Sequence, residues 1–546
     1  MINAGDVSRA ETVARLGKWL GLLLFLALLW GPTPAGMTPE AQRLSAVTLL
    51  MAVLWLTQAL PVAVTSLVPL VLFPVLGIQS AKNVSQAYVN QYVFLFLGGF
   101  IIALGIEKWG LHRRIALHTV RLIGGSPRRL VLGFMVATAF LSMWISNTAS
   151  TLLMMPIGLA ILTSYREQAR DGDQELIARL SVVLMLGVAY AASIGGMTTL
   201  VGTPTNVAFT GIWEQQFPDA PQLSAGQWMA DWVPVGVVFL LIAWGVLTWG
   251  LPSSGHGDPL ARNLISDQLK ALGRPDRAQL AMLVVFVVTA LLWIFRKPLQ
   301  FGSEPLLPGW ESLVEWALLR MGAEPELART AVHDSTVAIG MAILMFLIPV
   351  NQTDTGATVY LMDWETAEKL PWAMLLLIGG GFAIAGAFSS TDLSGWTGQW
   401  LSRNLMGVPP VVLVMSICLL MTFLTEFTTN VATVTTILPV LAGAAGQLGI
   451  DPKLIMIPAT ISASCAFMLP IATPPNAIIF GSGQVRISQM VRYGVILNLI
   501  GVLLITGAAV LWVSPSSVRT STQVRQSSQA VPQSASGLTA TQRALP

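Results

Sequence analysis

The chain has 546 residues, of which 54% are hydrophobic and only 10% charged, against about 25% charged in soluble domains. A mean hydropathy of +0.68 excludes a soluble globular protein and implies a polytopic membrane protein with spans of about 20 apolar residues each. The formal net charge of +3 decides little by its sum, because orientation follows where the basic residues lie.

The first 16 residues are polar and carry no secretory cleavage pattern, so the first apolar stretch is expected to stay as a helix. Eleven spans are expected, near 17–30, 43–60, 61–78, 92–108, 180–210, 229–250, 278–296, 333–350, 371–390, 453–482 and 489–513. Two further apolar stretches, 128–163 and 408–445, exceed one span and hold polar residues in the middle. Each is expected to be a re-entrant hairpin, with tips at Ser146-Asn147-Thr148 and Thr429-Asn430-Val431. Such backbone survives at membrane depth only where protein or a water-filled cavity surrounds it. The two cysteines, Cys418 and Cys465, both fall in apolar segments and imply no disulfide framework. Residues 514–546 are rich in Ser, Thr, Gln and Ala and read as a disordered tail.

Basic residues set the expected orientation. Segment 108–129 contains Lys108, Arg113, Arg114, Arg121, Arg128 and Arg129, and loop 251–277 adds Arg262, Lys270, Arg274 and Arg277. Both are expected to be cytoplasmic. Arg166, Arg170 and Arg179 flank the far end of the first hairpin and place both its ends inside. Loops 79–91 and 211–228, almost free of Lys and Arg, read as external. So does 391–407, with only Arg403; the second hairpin then enters from outside. The N-terminus is expected inside and the C-terminus outside. One loop, 351–370, should be cytoplasmic yet is acidic.

The halves repeat. Asn147 and Asn430 stand 283 positions apart, and each is followed nine residues later by a proline, Pro156 and Pro439. Leu97-Gly98-Gly99-Phe100 recurs as Gly379-Gly380-Gly381-Phe382, and Gly202-Thr203-Pro204-Thr205-Asn206 as Ala472-Thr473-Pro474-Pro475-Asn476. The expected domains are 1–42 (N-terminus and first helix), 43–250 and 278–513 (inverted-topology repeats), 251–277 (cytoplasmic linker) and 514–546 (tail), with 297–332 an external insertion. The fold class is therefore an all-α membrane protein with eleven spans and two hairpins. Duplicated, helix-breaking polar clusters point to a transporter's binding site.

The chemistry follows from those breaks. Ser146, Asn147 and Thr148 supply a hydroxyl, an amide and a hydroxyl at a chain reversal. The helix that starts there aims free amides and its positive dipole end at the same spot, which favours an anion. The helix that ends there offers unpaired carbonyls, which suit a small cation. The Thr203-Pro204 and Thr473-Pro474 breaks free further carbonyls, because proline removes a ladder bond. The glycine pairs read as close helix packing and Glu426 as a structural carboxylate. Proton-relay acid pairs, metal-binding clusters and phosphate loops are absent from the sequence, which argues against an enzyme.

Ser-Met-Trp-Ile-Ser-Asn-Thr (142–148), Thr-Glu-Phe-Thr-Thr-Asn-Val-Ala-Thr (425–433) and Phe-Met-Leu-Pro-Ile-Ala-Thr-Pro-Pro-Asn-Ala (467–477) resemble the divalent anion/sodium symporters, the INDY-type di- and tricarboxylate carriers and their sulfate-transporting relatives. The resemblance runs from about residue 43 to 513. It implies a homodimer working as an elevator, in which a transport domain slides against a dimerising scaffold. It also implies two sodium sites, one of Ser142, Ser146, Asn147 and Gly202, the other of Thr425, Thr428, Asn430 and Ala472. Substrate would meet Ser146, Asn147, Thr148, Thr429, Asn430, Val431, Thr473 and Pro474. Val431 stands where some members carry threonine, which removes one hydroxyl.

The expected function is sodium-coupled import of C4-dicarboxylates (succinate, malate, fumarate) across a bacterial inner membrane. Sodium is the coupling ion, no further cofactor is expected, and no nucleic acid. The rivals are a sodium/sulfate symporter, a sodium-independent carboxylate exchanger and, from another class, a sodium/proton antiporter for which Glu426 would have to titrate.

Overall fold

A computed structural model describes residues 4–123, 126–167, 174–252, 259–301, 304–352, 358–405 and 407–512. The expected tail at 514–546 lies outside them, as do residues 353–357 of the acidic loop, Asp354 among them. The described chain is almost wholly helical, with two short antiparallel strand pairs, β1 (Leu299–Phe301) with β2 (Glu304–Leu307) and β3 (Pro349–Gln352) with β4 (Thr358–Tyr360).

The first half starts with α1 (Ala4–Trp30), α2 (Pro39–Leu56), α3 (Val62–Thr65), α4 (Val68–Val75), α5 (Ala81–Ala87) and α6 (Gln91–Lys108). The amphipathic α7 (Leu111–Ile123) leads into the hairpin pair α8 (Pro127–Ser142) and α9 (Asn147–Glu167). Then come α10 (Gln174–Gly196), α11 (Pro204–Gln216), α12 (Ala225–Thr248) and the connecting α13 (Pro259–Ala271). The second half runs α14 (Arg277–Ile294), α15 (Glu311–Arg320), α16 (Pro325–Thr330), α17 (Asp334–Leu347), α18 (Trp364–Ala367) and α19 (Trp372–Ser390). It repeats the later order with α20 (Leu393–Leu405), the hairpin pair α21 (Pro410–Leu424) and α22 (Asn430–Leu448), then α23 (Pro452–Ser462), α24 (Pro474–Gly481) and α25 (Ile487–Trp512).

The helix starts have local causes. Thr38, Ser80, Asn90, Ser126, Ser224 and Asp276 each accept a first-turn backbone amide, the usual role of an N-cap. Proline at the first positions of α2, α8, α11, α21, α23 and α24 presets the helical φ where no amide is needed.

Among the described residues nine helices are long and apolar enough to cross a membrane. They differ from the eleven expected spans in an instructive way. The hairpin arms α9 and α22 qualify by length and composition. The stretches 43–60, 61–78, 333–350 and 453–482 do not, because their helices are too short, broken or too polar. The helices form an integral, multi-pass membrane protein.

Packing sorts the helices into two groups. One joins α1 to α6 with α14, α17 and α19; the other joins α8 to α12 with α21 to α25. The groups meet chiefly where α11 and α22 lie on α19, with α11 also against α6. Glycines permit the closest approaches. A methyl on Gly98 would lie 2.7 Å from the Ala338 carbonyl carbon, and one on Gly380 2.6 Å from the Ser66 carbonyl oxygen. Gly98 and Gly380 therefore serve helix packing within the first group, whereas Gly381 meets the Thr435 side chain of α22, across the two groups.

Candidate functional site

Both hairpins turn in the same way. After α8 ends at Ser142, four residues reverse the chain and Ser146 caps α9, its hydroxyl oxygen accepting from the Ala149 amide at 3.2 Å. After α21, Thr429 caps α22, accepting from the Ala432 amide at 3.4 Å. The next helical bonds start at Ser150 and Thr433. The amides of Asn147 and Thr148, and of Asn430 and Val431, are thus first-turn donors with no helical acceptor.

The asparagines are anchored identically. Ser142 Oγ donates to Asn147 Oδ1 at 2.6 Å, and Thr425 Oγ1 donates to Asn430 Oδ1 at 2.7 Å. Ser142 and Thr425 are fully buried, whereas Asn147 and Asn430 are half-buried. Thr425 Oγ1 also lies 3.0 Å from the Ala463 carbonyl oxygen. Thr428 bonds the Leu424 carbonyl at 3.1 Å and meets the Thr433 hydroxyl.

Each turn is backed by a helix break. Gly202 sits where a methyl group would lie 2.6 Å from the Gly196 carbonyl oxygen, 2.8 Å from that of Ser142 and 2.9 Å from Thr199 Oγ1. A methyl on Gly196 would in turn lie 2.2 Å from Asn147 Oδ1. Neutral oxygens from the hairpin and the break therefore crowd one small volume, a donor set that suits a hard monovalent cation without a formal charge. In the second half Ala472 and Thr473 are buried, Thr473 caps α24 and Pro474 is exposed. Val431 is buried in the apolar core, so its side chain leaves the amide as the polar group at that position.

Several residues that hold the site are not distinguished by sequence reasoning. Asn206 Nδ2 donates to the carbonyls of Met197 and Thr199 at 3.0 and 2.8 Å. Asn476 Nδ2 donates to those of Ala466 and Leu469, both at 3.0 Å. Each asparagine ties its break into a loop, and each Oδ1 is buried without a partner. The repeated Asn at the end of the Thr-Pro motifs is the signal that marks them. A third tie joins turn to break. In the first half Thr199 Oγ1 donates to the Met143 carbonyl at 2.5 Å. In the second, Glu426 accepts from the amides of Met468 and Leu469 at 2.9 and 3.0 Å and from Asn498 Nδ2 at 2.7 Å. Glu426 is a structural clasp.

The halves also cross over. Hairpin arm α9 packs on α24, and α22 packs on α11. Tyr190 of α10 donates to the Phe467 carbonyl at 2.8 Å. Each half's hairpin thus rests on the other half's break. On the side facing the first group, Trp144 and Ser146 share a narrow gap with Phe96, Gly99 and Phe100 of α6 and with Val201.

Comparison with known proteins agrees with this architecture. Residues 14–517 match the family described as the sodium:sulfate symporter transmembrane region. The protein called sodium-dependent dicarboxylate transporter SdcS in Staphylococcus aureus (strain bovine RF122) is 40% identical over 492 residues, covering 90% of this chain and 89% of its own. Its namesake in Staphylococcus saprophyticus is 38% identical over 531 residues, covering 94% and 97%. The solved structure of Neisseria gonorrhoeae MtrF, described as illuminating a class of antimetabolite efflux pumps, superposes with a TM-score of 0.52 at 13% identity over 92% of this chain and 94% of that one; that likeness concerns the fold alone. The chain is a member of the sodium:sulfate symporter family of membrane transporters.

Proposed function

We propose that this protein is a sodium-coupled symporter that imports C4-dicarboxylates such as succinate, malate and fumarate. The observation that carries the reading is the mirrored pair Ser142–Asn147 and Thr425–Asn430, each at the start of a helix with two unspent amides. Two separated sets of amides suit a four-carbon diacid, with one carboxylate at each tip. The sodium sites take Ser142, Ser146, Asn147 and Gly202 at one turn and Thr425, Thr428, Asn430 and Ala472 at the other. Substrate meets Ser146, Asn147, Thr148, Thr429, Asn430, Val431, Thr473 and Pro474. A carboxylate is costly at membrane depth, and sodium beside it offsets that cost. The name borne by the staphylococcal relatives supports this substrate class. The protein works as a homodimeric elevator in a bacterial inner membrane, with the hairpin-bearing group sliding past the group that holds α6 and α19.

Sulfate is the second reading, favoured by the description of the matching family. Val431 argues against it, since an apolar side chain there removes a hydroxyl that a tetrahedral oxyanion would use. The deciding experiment is uptake of radiolabelled succinate into proteoliposomes under an imposed sodium gradient, competed by citrate and sulfate. Succinate should outcompete sulfate by about tenfold or more, ~1.4 kcal/mol. Uptake equal in potassium and sodium would make the protein an exchanger, and equal competition by sulfate would remove the carboxylate reading.

A further inference from the structure

Far from the hairpin tips, a cleft of about 470 Å³ opens between the end of α9, the start of α10, the segment after α24 and the first turns of α25. Its lining carries four arginines, Arg166, Arg179, Arg486 and Arg492, and one carboxylate, Glu175. Arg166 spends its guanidinium on neutral partners, Ser181 Oγ at 3.2 Å and the Gln484 side-chain oxygen. Arg179 donates to the Trp249 carbonyl. Among the described residues Arg486 and Arg492 have no side-chain hydrogen bond or ion pair, and no arginine of the cleft is paired with an acid. Four exposed like charges converge on one concavity, and each repels the others. That arrangement gives the concavity a positive field that favours an anion between them.

The size and place of the cleft select the anion. A volume near 470 Å³ lies within the range of small-molecule pockets, roughly 300–1,000 Å³, and is far too large for one small ion. The cleft sits at the ends of α9, α10 and α25, which are long and apolar enough to span the bilayer. Tyr493 completes its wall, an aromatic of the kind favoured at the depth of lipid head groups. It also shares a face with the basic segments. Arg179 reaches the end of α12, α13 packs on α9 and α7, and Arg114 bonds the Leu272 and Gly273 carbonyls. Guanidinium forks match phosphate oxygens two at a time, and basic pockets between spans on a cytoplasmic face hold anionic head groups.

We propose that this cleft is a binding site for a phosphoryl group, supplied by the head group of an anionic membrane phospholipid. Arg486 and Arg492 are its free ligands, and Arg166 and Arg179 form its preset wall. The occupied site ties α10 and α25, two helices of the hairpin-bearing group, to the lipid surface.

The test is a titration of the delipidated full-length protein with short-chain phosphatidylglycerol, phosphatidylcholine or inorganic phosphate at matched ionic strength, read as the thermal unfolding midpoint. Phosphatidylglycerol should raise the midpoint and phosphatidylcholine should not. The double variant Arg486→Gln/Arg492→Gln should need about thirtyfold more phosphatidylglycerol for the same rise, ~2 kcal/mol for two arginines near a membrane surface. A response from inorganic phosphate that the double variant loses, with none from phosphatidylglycerol, keeps the phosphoryl site but overturns the lipid source. Equal responses of wild type and variant, or none from either anion, overturn the site. If the double variant does not fold, Glu175→Gln reads the same site with the opposite sign. Removing that carboxylate should lower the phosphatidylglycerol needed, and an unchanged requirement overturns the proposal.

Discussion

At the scale of single residues, the two asparagines do what no neighbour can replace. Each offers an acceptor already held by a hydroxyl five positions earlier and a donor free to turn to a ligand. Under the proposed function, Asn147→Ala and Asn430→Ala should each lower uptake by over a hundredfold. Two contacts to charged groups at about 1.5–3 kcal/mol each give that factor at 1.4 kcal/mol per tenfold. Expression should persist, and the melting temperature should fall by no more than the loss of one buried hydroxyl's acceptor, about 1–3 kcal/mol, requires. Uptake within a few-fold of wild type by either variant contradicts the assignment. These residues are legible in the string because duplication singles them out. Asn206 and Asn476 are less so: their motifs repeat, but nothing in the sequence says that an amide reaches back to Met197 or Ala466. Such bonds exist only once the break has folded around them. Thr199 is invisible for the same reason, its acceptor being the carbonyl of Met143 on the neighbouring hairpin.

At the scale of elements, the breaks are held by unequal devices. The first turn is tied by a threonine hydroxyl on a carbonyl, the second by the three donors on Glu426. Glu426→Gln keeps one acceptor oxygen and turns an NH₂ group toward a buried backbone amide. Leaving a buried donor unpaired costs about 1–3 kcal/mol, so the variant should melt earlier and lose uptake together. A variant that transports with an unchanged melting temperature would deny Glu426 its part in holding the turn. A second element-level contact explains the loop that offends the charge pattern. Lys108 at the end of α6 pairs with Asp363 at 2.5 Å, and Trp109 donates to the Leu361 carbonyl at 2.7 Å. Leu361 and Asp363 of that loop therefore lie against Lys108 and Trp109, where the basic segment begins. The Lys108 hydrogen bond holds the Asp363 carboxyl down to about 2 from 3.8. A lowered carboxyl stabilises the fold above its ordinary pKa, and that stability is lost as pH falls toward about 2. Asp363 is half exposed, so screening keeps the term below ~1 kcal/mol. The stability gap between wild type and Lys108→Met should hold from about pH 7 to 5 and close by about pH 2. A gap independent of pH would mean that the lysine stem, not its charge, does the stabilising. Charge counting alone leaves this loop at odds with the expected orientation, because it scores composition and ignores which basic residues lie opposite.

For the whole molecule, the order of elements repeats from α6 to α12 and from α19 to α25, and the two hairpins cross onto each other's breaks. The repeat and the helical class are legible in the sequence. The division into two packed groups is not, because contacts such as α11 on α19 join segments far apart in the chain. The elevator reading makes a definite demand on that division. On the face opposite the basic segments, Gln91 of α6 donates to both oxygens of Glu214 on α11, at 2.9 and 2.7 Å. These two residues belong to different groups, so a sliding motion must part them. A Gln91→Cys/Glu214→Cys pair joined by a short bismaleimide should therefore lose sodium-driven uptake. The joined protein should still bind succinate, since the linkage leaves both hairpin turns untouched. The same double variant without the linker should transport, because Gln91–Glu214 is a contact of one position rather than part of the site. Full uptake by the joined protein would show that α6 and α11 need not separate, and the alternating motion would then have to run within the hairpin-bearing group, between α8–α9 and α21–α22.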